Sequence, residues 1–145
     1  MNIDMRASFE ASMAELRRAI DFVEAFGVQH GLRADDSTRL VLIVEELFTN
    51  TAVHGVALHV GEQQVQIDIT LACRAEQLTL EYADSAPRFD PLARLQLARG
   101  ELDAELDGRA VGHMGLPLVL AMAASVDYVH VDGLNRLVLR LQRGG

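Results

Sequence analysis

The sequence predicts an α+β protein, a two-layer α/β sandwich with helices on one face of a mixed, mostly antiparallel sheet. Three observations predict it. Long segments carry apolar residues at helical spacing, four shorter segments alternate or run apolar like strands, and the strand-like segments come in pairs joined by short turns. The resulting order is helix, helix, hairpin, long loop, helix, hairpin.

Residues 2–7 are read as a short strand. From Ser8 to His30, Phe9, Met13, Leu16, Ile20, Val23 and Phe26 recur every three or four residues, which predicts a helix ended by Gly27 and Gly31. Asp35-Asp36-Ser37 reads as the cap of a second helix reaching Val56. Its buried side is defined by Leu40, Ile43, Val44, Leu47 and Phe48. Val65, Ile67, Ile69, Leu71 and Cys73 point one way from a strand, with Gln66, Asp68 and Thr70 pointing the other. Leu78, Leu80 and Tyr82 mark the next strand, over 77–84, turned at Ala75-Glu76. Pro87 and Pro91 break the chain, and the charged stretch 92–110, with Gly100 and Gly108, is expected to be a lid. A third helix is predicted from Gly112 and Gly115 to Ala124, then strands at 126–132 and 135–142 joined at Asp132-Gly133.

A chain of 145 residues fits a single domain over 1–145. A net charge of -8 with 13 Lys and Arg repels a phosphate backbone and offers nothing to anionic lipid, so direct nucleic-acid and membrane binding are not expected. One cysteine, Cys73, excludes an internal disulfide and reads as a small core residue. The start MNIDMRASFE lacks the features of a signal peptide, so a cytoplasmic location is expected.

Three segments carry chemistry. Glu46, Asn50 and His54 are spaced by four, which puts them on one helix face, about 6 Å apart along the axis. Glu46 and Asn50 fall on one edge of the apolar stripe, and His54 falls nearer its centre. An Asn oxygen suits Mg2+, and a carboxylate one turn earlier suits proton removal from a hydroxyl attacking phosphate. Asp84 continues the apolar face of Leu78, Leu80 and Tyr82 to a strand end, where it suits an exocyclic amine such as that of adenine. Gly112-His113-Met114-Gly115 precedes an apolar helix with Pro117 in its first turn, a place where amides and the helix dipole favour phosphate. Each has a plainer reading when taken alone: a rim Glu and a packing Asn, a strand-end Asp capping a turn, and a simple loop-to-helix turn.

Together and in this order the segments resemble the nucleotide-binding boxes of the GHKL (Bergerat-fold) ATPase superfamily, in its anti-sigma factor serine/threonine kinase branch. VEELFTNTAVHG resembles the E-x-x-x-N box, with Glu46 and Asn50 at its defining places. His54-Gly55 is similar to the ending common in that branch. ADSAPRFDP resembles D-x-G-x-x-F-D-P through Asp84, Phe89, Asp90 and Pro91. GHMGLPLV resembles G-G-x-G-L-x-L-V through Gly112, Gly115, Leu116, Leu118 and Val119. GLNRLVLRL is similar to the closing strand. The resemblance implies ATP bound with Mg2+ on Asn50, Glu46 as general base, Asp84 reading adenine, and Gly112, Gly115 and the neighbouring amides of His113, Met114 and Leu116 holding phosphate. His54, Ala86 and Phe89 complete the implied nucleotide site. It also implies a sigma factor or similar regulator as partner, phosphorylation of Ser/Thr on an anti-anti-sigma protein of the STAS type, and homodimers.

The chain departs from the pattern twice. The glycine after Asp84 is Ala86, and the middle glycine of the last box is His113. Both favour the competing expectation, a non-catalytic switch of the same fold that holds a partner with weakened or lost ATP binding. A third class, an ATP-hydrolysing conformational machine, couples such a domain to others.

Overall fold

A computed structural model describes residues 3–59, 61, 63–90 and 111–144, with backbone alone for 111–114. Among the described residues five strands form one sheet in the order β1-β2-β3-β5-β4: β1 Met5–Glu10, β2 Gln66–Cys73, β3 Gln77–Asp84, β4 Ser125–Val131 and β5 Leu134–Gln142. Every pairing is antiparallel. The helices are α1 Leu16–Gln29, α2 Ala34–Asn50, a short α3 Val56–Leu58 and α4 Val111–Leu120. The architecture is the α+β sandwich that the alternation and helical spacing predict.

Cross-strand register explains the core. Ile69 faces Tyr82, Tyr82 faces Leu137, and Leu137 faces Tyr128, so one row of side chains crosses four strands on a single face. The next row, Leu71–Leu80–Leu139–Val126, repeats the pattern. Against this face pack Ala19, Val23 and Phe26 of α1, Leu40, Ile43, Val44, Leu47 and Phe48 of α2, and Leu116, Val119 and Leu120 of α4. The opposite face carries the half-buried ion pair Arg136–Glu81 (3.1 Å) and the more exposed pair Arg140–Asp127 (2.9 Å), the latter of a type that contributes about 0–1 kcal/mol. The Asp132-Gly133 turn closes the β4–β5 hairpin with φ of 54° and 76°, the signature of a type I′ turn.

The first strand lies at 5–10 rather than 2–7, and Phe9 belongs to it instead of opening a helix at Ser8. Phe9 pairs with Ile67 and meets Phe22 and Phe48 edge to face at 6.1 and 6.0 Å. That burial outweighs the helical spacing it happens to share with Met13 and Leu16. The helical run begins only with a 3-10 turn at Met13–Glu15.

Helix α2 starts at Ala34, and Asp35-Asp36-Ser37 supplies no side-chain cap. Asp36 instead is buried and accepts the Gly144 amide at 3.1 Å and the Arg39 guanidinium, while Arg39 also donates to the Gln142 carbonyl at 2.7 Å. It ties the helix start to the end of β5. Beyond Asn50 the helix continues as a π-helical turn, Thr51–Gly55, and then α3. By length and composition the span Ala34–Leu58 is apolar enough to cross a membrane. Its apolar stripe is instead spent on the sheet, as in the core helix of a sandwich.

Helix α4 starts at Val111, so Gly112-His113-Met114-Gly115 is helical and Pro117 stands inside the helix rather than in its first turn. Glycine and proline read as punctuation, but packing of Leu116, Val119 and Leu120 against α2 and the sheet overrides local propensity. The helix ends at Leu120, short of Ala124. The expected lid at 92–110, with Pro91, lies outside the described residues.

Candidate functional site

The apolar face of the sheet turns polar in its last row. Asp84 at the end of β3 faces Asn135 of β5, and Asn135 faces His130 of β4. Above this row runs the π turn of the α2 extension. Between them lies a cavity of about 260 Å³, lined by Asn50, Thr51, His54 and Gly55 from above and by Asp84, Ala86, Pro87, Phe89 and Asn135 from the sheet side. Small-molecule pockets run to roughly 300–1,000 Å³, so this compartment suits a base rather than a whole nucleotide.

Asp84 is 9% exposed and well held. Its Oδ1 accepts the Ala86 amide at 3.1 Å and the Asn135 Nδ2 at 3.0 Å, and its Oδ2 accepts the Thr51 hydroxyl at 3.2 Å. Burial pushes the carboxyl above its ordinary pKa, and the hydrogen bonds from Asn135, Ala86 and Thr51 offset that only in part. A carboxylate that is costly to bury and faces a cavity is a candidate binding group.

Thr51 and Tyr82 build the support beneath it. The Thr51 and Tyr82 hydroxyls lie 2.7 Å apart, and both reach the Leu47 carbonyl at 3.1 Å. Each hydroxyl has one proton. The chain Tyr82 to Thr51 to Asp84 uses both protons and ends on the anion, the strongest acceptor present. Both hydroxyl oxygens and the Thr51 amide gather around the Leu47 carbonyl, at the point where α2 gives way to the π-helical turn. The Val56 amide then bonds to the Thr51 carbonyl, five residues back. The wider turn carries His54 out of the core: it is exposed and lines the cavity mouth, not the centre of the buried stripe.

Asn135 was not evident as a site residue from the sequence. It is buried at 6% exposure, and its Nδ2 reaches Asp84 Oδ1, the Ala86 carbonyl (3.1 Å) and the Pro87 carbonyl (3.0 Å). Its Oδ1 accepts the Phe89 amide at 3.0 Å and the Tyr128 hydroxyl at 2.6 Å. It clamps the whole 84–89 loop. The available signal was periodicity: Leu137, Leu139 and Leu141 are buried on alternate positions, which places Asn135 on the same face as Asp84.

Ala86 occupies the place where the pattern has glycine, without strain. Among the described residues the one non-glycine with positive φ is Asp132, so the backbone at Ala86 suits any L-residue. Room for its methyl comes from across the cavity, where a Cβ added at Gly55 would lie 3.0 Å from the Ala86 Cβ. The two positions share space for one methyl group. Gly55→Ala is therefore expected to lower stability by about 1–3 kcal/mol, with Ala86→Gly restoring most of it in the double variant. Urea denaturation of the four proteins in the cycle measures this coupling, and additive single effects would refute it.

Of the residues singled out by pattern, Asn50, His54, Asp84, Ala86 and Phe89 meet in the main cavity. Leu116 lines a smaller adjoining space with Asn50, Asp84 and Tyr128. Glu46 lines neither. It is half-buried, and its carboxylate lies against Gly115, in the space that a Cβ added there would need. The space left by the missing Gly115 side chain thus admits the Glu46 carboxylate. Gly112, His113 and Met114 contribute helical backbone to the first turn of α4, and their side chains lie outside the described residues.

No curated protein matches the chain in sequence. The histidine kinase-like ATPase domain family matches it over residues 9–141, from the first strand through the last and across every element of the cavity. The chain therefore belongs to the histidine kinase-like ATPase domain family, within the GHKL superfamily, and ATP is the ligand that this membership assigns to it.

Proposed function

We propose that the chain is an anti-sigma-type regulator that binds ATP with Mg2+, sequesters a protein partner, and phosphorylates Ser/Thr on an antagonist of the STAS type. The observation that carries this reading is the polar edge of α2. Asn50 opens on the cavity that holds Asp84, and one turn earlier Glu46 stands beside Gly115 of α4. A metal-suited amide and a carboxylate base then lie one turn apart on α2, with the base-reading carboxylate facing them from the end of β3. The acidic surface, at net charge -8, favours protein partners over DNA. A sigma factor or similar regulator, a homodimeric state and a cytoplasmic setting belong to the same reading.

The metal fits as an ion that arrives with its nucleotide. Among the described residues no group of three or more His, Cys, Asp and Glu could hold one. Mg2+ is commonly held by one or two protein oxygens plus substrate phosphates, so a single Asn50 oxygen is consistent with it. Once bound there, the ion would neutralise charge on the phosphates. The chain itself supplies the rest: Asp84 fixes the base, Asn50 fixes the phosphate end, and Glu46 accepts the proton of the incoming hydroxyl.

A pull-down with and without ATP, followed by γ-labelled ATP and Mg2+, tests the proposal. Label is expected on a serine or threonine of the recovered partner. Complexes that form in ATP and Mg2+ yet never take up label would leave a nucleotide-gated binding module in its place. His113, at a family glycine, is the residue that favours that second reading. Saturable ATP binding by calorimetry without turnover is its signature.

A further inference from the structure

The hydrogen bonds already made to Asp84 limit what else it can accept. An ionised carboxylate offers about four lone-pair positions, two on each oxygen. On Oδ1 both are taken, by the Ala86 amide and by Asn135 Nδ2. On Oδ2 one is taken by Thr51. One position remains, on an oxygen of a residue that lines the cavity.

The Asn135 donor is fixed in its orientation. The Phe89 amide can only donate, so the atom it meets at 3.0 Å is the Asn135 oxygen, and Nδ2 must face Asp84. Three acceptors compete for the two hydrogens of Nδ2, and the charged carboxylate is the strongest of them.

We infer that Asn135 is a specificity-determining residue of the base pocket: by occupying Asp84 Oδ1 it leaves the carboxylate able to accept one donor and no more. Adenine presents one amine to such a site and is satisfied. Guanine presents an adjacent ring N–H and amine, which a free carboxylate would take as a pair, one on each oxygen. Here the second donor meets an oxygen already saturated and is buried without a partner, a loss that polar sites use to reject a wrong ligand. Asn135 acts through Asp84 and touches the loop around the base, so it is a positioning residue.

This inference rests on the ATP-binding reading, and the test separates the two. ATP, ITP and GTP compete with a fluorescent ATP analogue for the full chain in Mg2+. ITP and GTP differ only by the guanine amine. ATP is expected to bind tightest, and GTP no tighter than ITP. If ATP binds and GTP exceeds ITP by tenfold or more, the inference is overturned, because both oxygens were open. If ATP itself fails to bind, the ATP-binding reading fails and takes the inference with it. Asn135→Ser removes the amide donor while keeping a small polar side chain. It is expected to raise the GTP-over-ITP ratio about tenfold. A loss shared equally by all three nucleotides would assign Asn135 a purely structural role and overturn the inference. Should Asn135→Ser fail to fold, the wild-type GTP and ITP comparison decides alone.

Discussion

Glu46→Gln is expected to lower phosphotransfer by about 10²–10⁴-fold, the range attributed to a positioned general base, while ATP affinity changes little. The separation follows from where Glu46 stands. It lines neither the main cavity nor the smaller space beside it, so it takes no part in holding the base. It is half-buried on the edge of α2 and lies against Gly115. Glutamine keeps its length and planar end but cannot take up a proton. Single-turnover transfer from γ-labelled ATP measures the first effect, and calorimetry with ATP measures the second. Transfer within a few-fold of the unaltered protein would remove Glu46 from the chemistry. An equal fall in affinity and rate would make it a binding residue instead.

Most of the layer architecture was legible because strand alternation reports burial directly. Ile67, Ile69, Leu71, Leu78, Leu80 and Tyr82 are all buried on one face, and the helix stripe from Leu40 to Phe48 meets them. What misled was local spacing without tertiary context. Phe9 fits a helical repeat, yet its pairing with Ile67 decides its fate. His54 fits the buried stripe at a uniform 100° per residue, but the helix widens to a π turn over Thr51–Gly55 and His54 comes out exposed. The glycines of 112–115 suggest a loop, and packing of α4 makes them helical. In the site, single-residue chemistry pointed to Asp84 and Asn50, which do share a cavity. Asn135 was missed because its role depends on pairing β5 with β3, and an isolated strand carries no record of its neighbour.

Asp84→Asn is expected to weaken ATP binding by about 10–150-fold, the equivalent of a hydrogen bond to a charged group at about 1.5–3 kcal/mol, without loss of stability. Asparagine preserves the shape. Its oxygen can still accept the Ala86 amide and Asn135 Nδ2, and its new amine can donate to the Thr51 hydroxyl that formerly donated to Oδ2. In the proposed ATP complex the adenine amine would then face another donor in place of an acceptor. Stability moves the other way because burial raises the folded-state pKa of Asp84. The folded chain holds this proton more tightly than the unfolded chain, whose value is about 3.9. The stabilisation from that proton is complete below the unfolded pKa and is lost as pH rises through the folded one. Asp84→Asn should therefore gain stability relative to the unaltered protein across that interval and hold the gain at neutral pH. Asp36 provides the opposite sign. Burial would raise its pKa, but the Arg39 guanidinium and the Gly144 amide more than offset that and leave it lowered. Its stabilisation is present above about 3.9 and lost as pH falls through the folded value. Urea denaturation of both Asn variants from acid to neutral pH should show the two differences diverging with opposite slopes. A neutral-pH loss of stability in Asp84→Asn would mean that the carboxylate serves the fold rather than the ligand.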